Sequence, residues 1–332
     1  MGIKKLFENV RKGNYPPAYV LYKLFTHNRI ISKCFPQKLY SRLLERNVSG
    51  FDGAVRLSIP TYDGLGQTVH PSVVKIEDQY ILAITPFPYG NDYYENPCIY
   101  ISEDGVHFFE IYGMNPVVLP KNHEKLIYLS DPFLYLRDGQ THLIYRECEY
   151  ITQTEYVSNI YEMISKDLHS WSEPKLVLSS RYGEMSPAVL DIKGQILFYS
   201  VQFNDRSTQL VRRVYNYPFV EEYCEFISIE GIPDKEMIWH IDFFKKDETL
   251  WGLFTTATDY FGSNAKLYLA KGIDDGTKWY IKRRIEIGDD TLFTKTYKAC
   301  AVVDEGRVDL YVSARQKDRC WMTYLLSNFI VE

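Results

Sequence analysis

No stretch of this 332-residue chain stays apolar over the ~20 residues that a membrane span requires, so a helical span is not expected. The chain has no Gly-rich phosphate loop, no His-Glu-x-x-His pair and no Gly-x-Ser-x-Gly elbow. Nucleotide hydrolysis, helix-borne zinc proteolysis and α/β-hydrolase chemistry therefore lose their usual sequence support. Cysteine is sparse and scattered, at positions 34, 98, 148, 224, 300 and 320, without the close pairs of a zinc ribbon or thiol redox motif. The simplest expectation is buried thiols in a reducing compartment. The first residues, Met1-Gly2-Ile3-Lys4-Lys5-Leu6, run into charge before an export leader's apolar region could form. A cytoplasmic location is expected, and the sequence assigns no cofactor and no metal-ligand set.

Aromatic residues, by contrast, are plentiful: 28 Tyr and 18 Phe bring the aromatic fraction to 15%, which leans towards strand-rich structure. Their arrangement is repetitive. Five segments share a polar opening, a short apolar run, a turn, and a second run rich in Tyr and Phe. The openings are His70-Pro71-Ser72, Asp131-Pro132-Phe133, Ser186-Pro187-Ala188, His240-Ile241-Asp242 and Lys298-Ala299-Cys300, spaced 61, 55, 54 and 58 residues apart. That period suits a four-stranded propeller blade with generous loops. Outer-strand material follows in several repeats, as in Ser102-Glu103-Asp104-Gly105 and Ser165-Lys166-Asp167-Leu168, a Ser-x-Asp turn leading to an aromatic. Nothing between the strands is long and periodic enough to be a crossover helix. The expected fold is all-β, a five-bladed β-propeller over residues 51–332 with blades opening near 70, 131, 186, 240 and 298; a sandwich is the competing architecture.

Residues 1–50 differ. They carry ten Lys or Arg against two acids, a balance of +8 that leaves −13 for the rest of the chain. Apolar residues at spacings of three and four, broken by Pro16-Pro17 and Pro36, predict a short helical extension. Its basic face is either solvated beside the propeller or peripheral to an anionic membrane. Nucleic-acid binding is disfavoured by the acidic balance of the remainder.

In a propeller the first strand of each blade lines the central channel, and the second strand returns to the same mouth. Convergence therefore predicts a site built from His70, Asp131, Glu184, Ser186, His240 and Lys298, with Arg146 and Arg315 from second-strand ends. His240 and Asp242 share one strand face by two-residue alternation, a spacing that suits a carboxylate orienting an imidazole or a polar contact within the channel. Asp131 could equally be a turn-former, Glu184 a loop acid, and the histidines inner-ring contacts between blades.

The His-Pro, Ser-Asp-Pro and Glu-Met-Ser-Pro openings over residues 70–187 resemble the five-bladed propeller glycoside hydrolases, the superfamily of families 43, 32, 68 and 117. The resemblance implies that Asp131 is the blade-two carboxylate that tunes and orients. It implies that Glu184 is the blade-three acid, although Glu184 stands three residues before Pro187 where two is usual. His70 departs from the pattern, standing where an Asp should serve as base or nucleophile. Two carboxylates around the scissile bond are the ordinary requirement. Either Asp131 or Asp242 serves as base with Glu184 as acid, or His70 acts as acid or base, as a histidine does in family 117, or hydrolysis is absent.

With that resemblance, the aromatic and polar residues near the openings fit a sugar ligand. Tyr89, Trp239 and Tyr297 would stack on a pyranose, Lys298 and Asn96 would contact it, and Arg146 and Arg315 would pair with an anionic substituent. The expected function is a glycoside-hydrolase-like enzyme acting on a bacterial-type surface or intracellular glycan. The alternatives are a non-hydrolytic glycan-binding or polysaccharide-assembly propeller, and a transferase acting on a glycan.

Overall fold

The computed structural model describes residues 54–331, apart from positions 112, 121–126, 152–155, 182, 193, 205–206 and 289–292. The helical extension expected before residue 50, and the membrane contact tied to it, lie outside the described residues. Among the described residues, no helix is long and apolar enough to cross a membrane.

Strands dominate, and they form five four-stranded antiparallel units. Blade one comprises Thr68–Ile76, Gln79–Pro86, Cys98–Ser102 and Phe109–Glu110, and blade two Ile127–Arg137, Gln140–Tyr150, Tyr156–Ser165 and Lys175–Ser180. Blade three comprises Glu184–Ile192, Gln195–Asn204, Ser207–Asn216 and Val220–Glu230, and blade four Met237–Lys246, Thr249–Ala257, Lys266–Ile273 and Lys278–Ile285. Blade five takes Phe293–Asp304, Arg307–Gln316 and Trp321–Leu326 from the C-terminal end, while Ala54–Arg56 adds the outermost strand. The first strands of successive blades pack side by side, and that of blade five packs against that of blade one, closing the ring. The fold is thus the expected all-β, five-bladed β-propeller. Blades three and four are further joined by a short parallel pairing of Ser228–Glu230 with Lys278–Tyr280.

Closure mixes the two ends of the described chain. Leu57 donates its N–H to the Thr323 carbonyl at 2.9 Å, the hydroxyls of Thr68 and Thr323 lie 2.9 Å apart, and Trp321 N–H donates to the Gln67 side chain at 3.2 Å. A ring closed this way has no free inner-sheet edge to defend.

The inner strands are buried on both faces, which explains why they read as apolar runs rather than as alternating ones. The outer strand of blade three is mostly exposed, and Cys224 on it is exposed rather than buried as expected. Among the described cysteines none forms a disulfide.

The Ser-x-Asp segments form the same turn twice. In blade one Ser102 Oγ accepts the Gly105 N–H at 2.9 Å, and Asp104 Oδ1 accepts the N–H groups of Val106 and His107 at 2.8 Å each. In blade two Ser165 Oγ accepts from Leu168 at 2.8 Å, and Asp167 Oδ1 accepts from His169 and Ser170. The third residue after the serine is left-handed in both, Gly105 at φ 72° and Leu168 at φ 63°. At Gly105 a side chain would also meet the Tyr311 hydroxyl at 2.6 Å, so glycine is needed there for space as well as conformation. Large aromatics fill the gap between blades three and four: Tyr199 meets Phe243 with ring centroids 4.5 Å apart, and Phe243 stacks on the fully buried Trp279 at 4.6 Å.

One device positions the site. Every inner strand breaks register with its neighbour near its start, between Val69 and Ser72, Ser130 and Phe133, Met185 and Ala188, Ile238 and His240, and Thr296 and Ala299. In blades one to three the break contains Pro71, Pro132 and Pro187, which have no N–H to give the ladder. The residue before each proline is left-handed: His70 at φ 60°, Asp131 at φ 50° and Ser186 at φ 52°. Non-glycine residues occupy that region at a cost, and bulges of this kind re-aim side chains. The three x-Pro openings are thus one structural feature, and Ser186, not Glu184, occupies the position of His70 and Asp131 in blade three.

The same strands are stapled to one another by side chain to backbone bonds. Ser72 Oγ accepts the Leu134 N–H at 2.8 Å; Asp131 Oδ2 accepts the Ser186 N–H at 3.2 Å. Ser186 Oγ accepts the Ile241 N–H at 2.9 Å and donates to the Ile241 carbonyl at 3.2 Å. Asp242 Oδ2 accepts the Ala301 N–H at 3.1 Å. Four of the five blade junctions are thereby bridged at the channel wall.

Candidate functional site

Asp131 stands where the inner strands of blades one, two and four converge. It is fully buried, and its two oxygens have different surroundings. Oδ2 lies 2.9 Å from Arg146 Nε and accepts the Ser186 N–H, while Oδ1 lies 3.3 Å from His70 Nε2 and 3.4 Å from His240 Nδ1 without a hydrogen bond. Arg146 is fixed in turn by Ser130 Oγ, which accepts from Nε at 3.1 Å and from Nη2 at 2.9 Å. Burial alone would raise the Asp131 carboxyl; the Arg146 guanidinium, helped by His70, His240 and Lys298, outweighs it and holds the group ionised, well below the ordinary range.

His70 is held from behind. Its Nδ1 lies 3.1 Å from Thr85 Oγ1 and 3.1 Å from Glu95 Oε1. Thr85 spends its only proton on the Val69 carbonyl at 3.2 Å, so towards His70 its oxygen accepts. With the imidazole proton on Nδ1, the Thr85 oxygen is satisfied and Nε2 faces Asp131 with a lone pair. Burial pushes His70 down to about 3, against the pull of Asp131 and with Lys298 and Arg146 adding to the depression. Burial likewise lowers His240 well below the ordinary range, and raises Glu95 well above it, with Asp92 and Asp131 adding to the latter. Burial thus favours the neutral form of both imidazoles.

Aromatic rings pack around this cluster. Tyr297 lies 5.2 Å from His70 and 4.5 Å from His240, between ring centroids, and 5.0 Å from Trp321; Trp239 meets His240 edge-on at 5.9 Å. Lys298 is fully buried, and its Nζ lies 3.5 Å from the Pro132 carbonyl across the channel. Burial lowers its ammonium, against Asp131 and Asp242, which favour the charged form. Among the residues expected from the sequence, His70, Asp131, His240, Arg146, Lys298, Trp239 and Tyr297 are thus brought together.

The others fall elsewhere. Glu184 is engaged within blade three: Oε1 accepts from Arg213 Nη2 at 2.6 Å, and Oε2 accepts from Arg213 Nη1 at 2.8 Å and Ser200 Oγ at 2.5 Å. Asp242 serves the junction with blade five, and burial, against Lys298 and two backbone N–H groups, raises its carboxyl to about 7. Tyr89 is buried in the apolar cluster with Cys320 and Met322. Asn96 donates to the Tyr62 hydroxyl at 2.8 Å and so shapes its own loop. Arg315 donates to Thr294 Oγ1 at 2.8 Å and lies over the Trp321 ring at 5.7 Å.

Two participants hold His70 in roles that the sequence did not assign. Glu95 belongs to a loop after the second strand of blade one, brought in because its carbonyl accepts the Leu129 N–H of blade two at 3.0 Å. Thr85 is legible only once the strand pairing is known, since it is the register partner of Val69. Among the described residues, His70, Asp131 and His240 also form a group capable of holding a metal ion, with one ligand atom from each, all within 4.8 Å of one another.

No protein-family model matches the chain, and no curated protein sequence matches it. Solved structures do. An N-acetylgalactosamine deacetylase from F. plautii, in complex with blood group B trisaccharide, superposes with a TM-score of 0.68 at 15% identity, over 81% of this chain and 93% of that one. A xylan β-1,4-xylosidase from Bacillus halodurans C-125 gives a TM-score of 0.63 at 16% identity over 79% of this chain, which spans about half of that longer enzyme, 52%. A Cellvibrio cellulosa α-L-arabinanase complexed with arabinohexaose gives 0.55 at 14% identity, over 79% of this chain and 91% of that one. The chain has the fold of the propeller glycoside hydrolases of family 43 and their structural relatives.

Proposed function

We propose that this protein is a carbohydrate-active hydrolase of the glycoside-hydrolase type, with its reaction centre at His70, Asp131 and His240. The observation that carries the reading is the state of Asp131. It is an ionised carboxylate, wholly buried, with one oxygen fixed by Arg146 and the other turned to two neutral imidazoles and lacking a hydrogen bond. A merely structural Asp would satisfy both oxygens, since an unpaired buried polar atom is costly. Tyr297, Trp239 and Trp321 supply aromatic surface beside it for the apolar face of a sugar. Folds of this kind accommodate arabinohexaose and a blood-group trisaccharide in the structures described above. The substrate we infer is an oligosaccharide or polysaccharide of the bacterial surface or interior.

A second reading, hydrolysis of an acyl substituent on an amino sugar, is favoured by Glu184. Both of its oxygens are occupied by Arg213, an arrangement suited to a structural ion pair and poorly suited to handing a proton to a glycosidic oxygen.

Incubation with a panel of neutral, acidic and N-acetylated oligosaccharides, read by mass spectrometry, separates the two. Loss of a sugar unit supports glycosidic cleavage, and loss of an acyl mass supports deacylation. Asp131→Asn should abolish either. Full turnover by that variant, or no mass change with any glycan, would defeat the proposal.

A further inference from the structure

We propose that His70, Asp131 and His240 bind one divalent transition-metal cation of the zinc class. The geometry points to this through atoms that face one another without a proton between them. In the Nδ1–H tautomer, which Thr85 Oγ1 can accept while its own proton goes to the Val69 carbonyl, His70 Nε2 presents a lone pair. Opposite it, at 3.3 Å, stands Oδ1 of a carboxylate, another acceptor. His240 Nδ1 approaches the same oxygen at 3.4 Å. None of these three atoms has a hydrogen-bond partner, nor has His240 Nε2, and all are buried. Electron pairs converging in a buried site repel unless a cation lies among them.

The spacing fits. Ligands that bind one zinc ion at about 2.0–2.2 Å lie roughly 3–3.5 Å apart in a tetrahedral arrangement. The surrounding contacts are those that orient metal ligands: the far nitrogen of His70 faces Thr85 and Glu95, and the far oxygen of Asp131 is fixed by Arg146 and the Ser186 N–H. The bulged, left-handed backbone at His70 and Asp131 aims both side chains at this point from different blades. Two imidazole nitrogens and one carboxylate oxygen select a borderline transition metal over calcium or magnesium, which take mostly oxygen ligands. Three protein ligands leave a coordination position open for water or a substrate oxygen, as in catalytic rather than structural sites.

The proposal deepens the hydrolase reading above by giving its centre a cation, yet it is tested without turnover. The full-length chain is stripped with a chelator and titrated with zinc chloride by calorimetry, with calcium chloride in parallel and cobalt(II) as a spectroscopic probe. The expected result is one zinc per chain, no comparable calcium binding, and visible cobalt bands of a nitrogen- and oxygen-ligated ion. His240→Ala and His70→Ala should each lose the one-to-one site, whereas the exposed His107→Ala should retain it. Glu95→Ala, which keeps all three ligands, should weaken zinc about ten- to a hundredfold. Failure of the wild-type chain to take up zinc or cobalt, or unchanged binding in both histidine variants, would overturn the site. An imidazolium of His70 paired with Asp131 would then account for the contact. Zinc binding without action on any glycan would instead leave the site standing and defeat the hydrolase reading.

Discussion

Arg146 Nε sits 2.9 Å from Asp131 Oδ2, and this contact decides which carboxylate oxygen remains for chemistry. Both groups are buried, Asp131 completely. An ion pair in such a place is marginal as a source of stability, but removing one partner strands the other.

Arg146→Met should therefore destabilise the fold by about 3–5 kcal/mol, because the Asp131 charge is left buried beside a methionine. Adding Asp131→Asn to that variant should recover much of the loss, since the two residues are directly coupled. Urea unfolding of the two single variants and the double variant measures this; additive losses would show that the pair does not act as a unit.

The blade junctions give a second expectation. Ser186 Oγ serves both the N–H and the carbonyl of Ile241, so Ser186→Ala leaves a buried donor without a partner and should cost roughly 1–3 kcal/mol. A loss below the precision of the unfolding curve would mean that the junction does not depend on this staple.

Glu184 and Asp131 should part company. Glu184→Gln disturbs the buried Arg213 pair and should lower Tm while preserving turnover per folded molecule. Asp131→Asn, which also strands Arg146 and so lowers Tm, should in addition lose turnover per folded molecule. Parallel thermal melts and single-substrate kinetics discriminate between them, and loss of turnover on Glu184→Gln at unchanged Tm would return the acid's role to blade three.

Asp63 sets a pH dependence away from the site. Burial raises its carboxyl to about 6, against the Thr61 hydroxyl and backbone N–H groups that favour the charge. The folded state thus holds this proton more tightly than the unfolded chain. Its stabilising contribution is complete below the unfolded value near 4 and is lost as pH rises through about 6. Asp63→Asn should consequently gain stability relative to wild type by roughly 2–3 kcal/mol more at pH 7.5 than at pH 3.5, from unfolding curves at both pH values. An equal difference at the two pH values would contradict the shift.

The propeller was legible because its inner strands are buried on both faces and open on similar polar-then-apolar runs, so the period survives in the sequence. The x-Pro steps at His70, Asp131 and Ser186 mark the same bulge and could have been aligned on proline alone, which puts Ser186 rather than Glu184 in the ring. The convergence of His70, Asp131 and His240 followed from blade order. What the sequence did not disclose depended on register and loop path. Thr85 reaches His70 through strand pairing, Glu95 through a loop anchored on Leu129, and the outermost strand of blade five comes from Ala54–Arg56, more than two hundred residues away in sequence. Asp242 and Tyr89 show the reverse limit: a polar or aromatic residue near a blade opening can equally serve a junction or the core.

Handling of a sugar at the ring of His70, Asp131 and His240 can be seen directly. A crystal structure of the Asp131→Asn variant soaked with an oligosaccharide identified by the panel tests it most directly. The expected result is a sugar ring against Tyr297 or Trp239, with its reacting bond facing the substituted position 131 and the two imidazoles. A sugar bound elsewhere on the propeller, with this ring untouched, would contradict it.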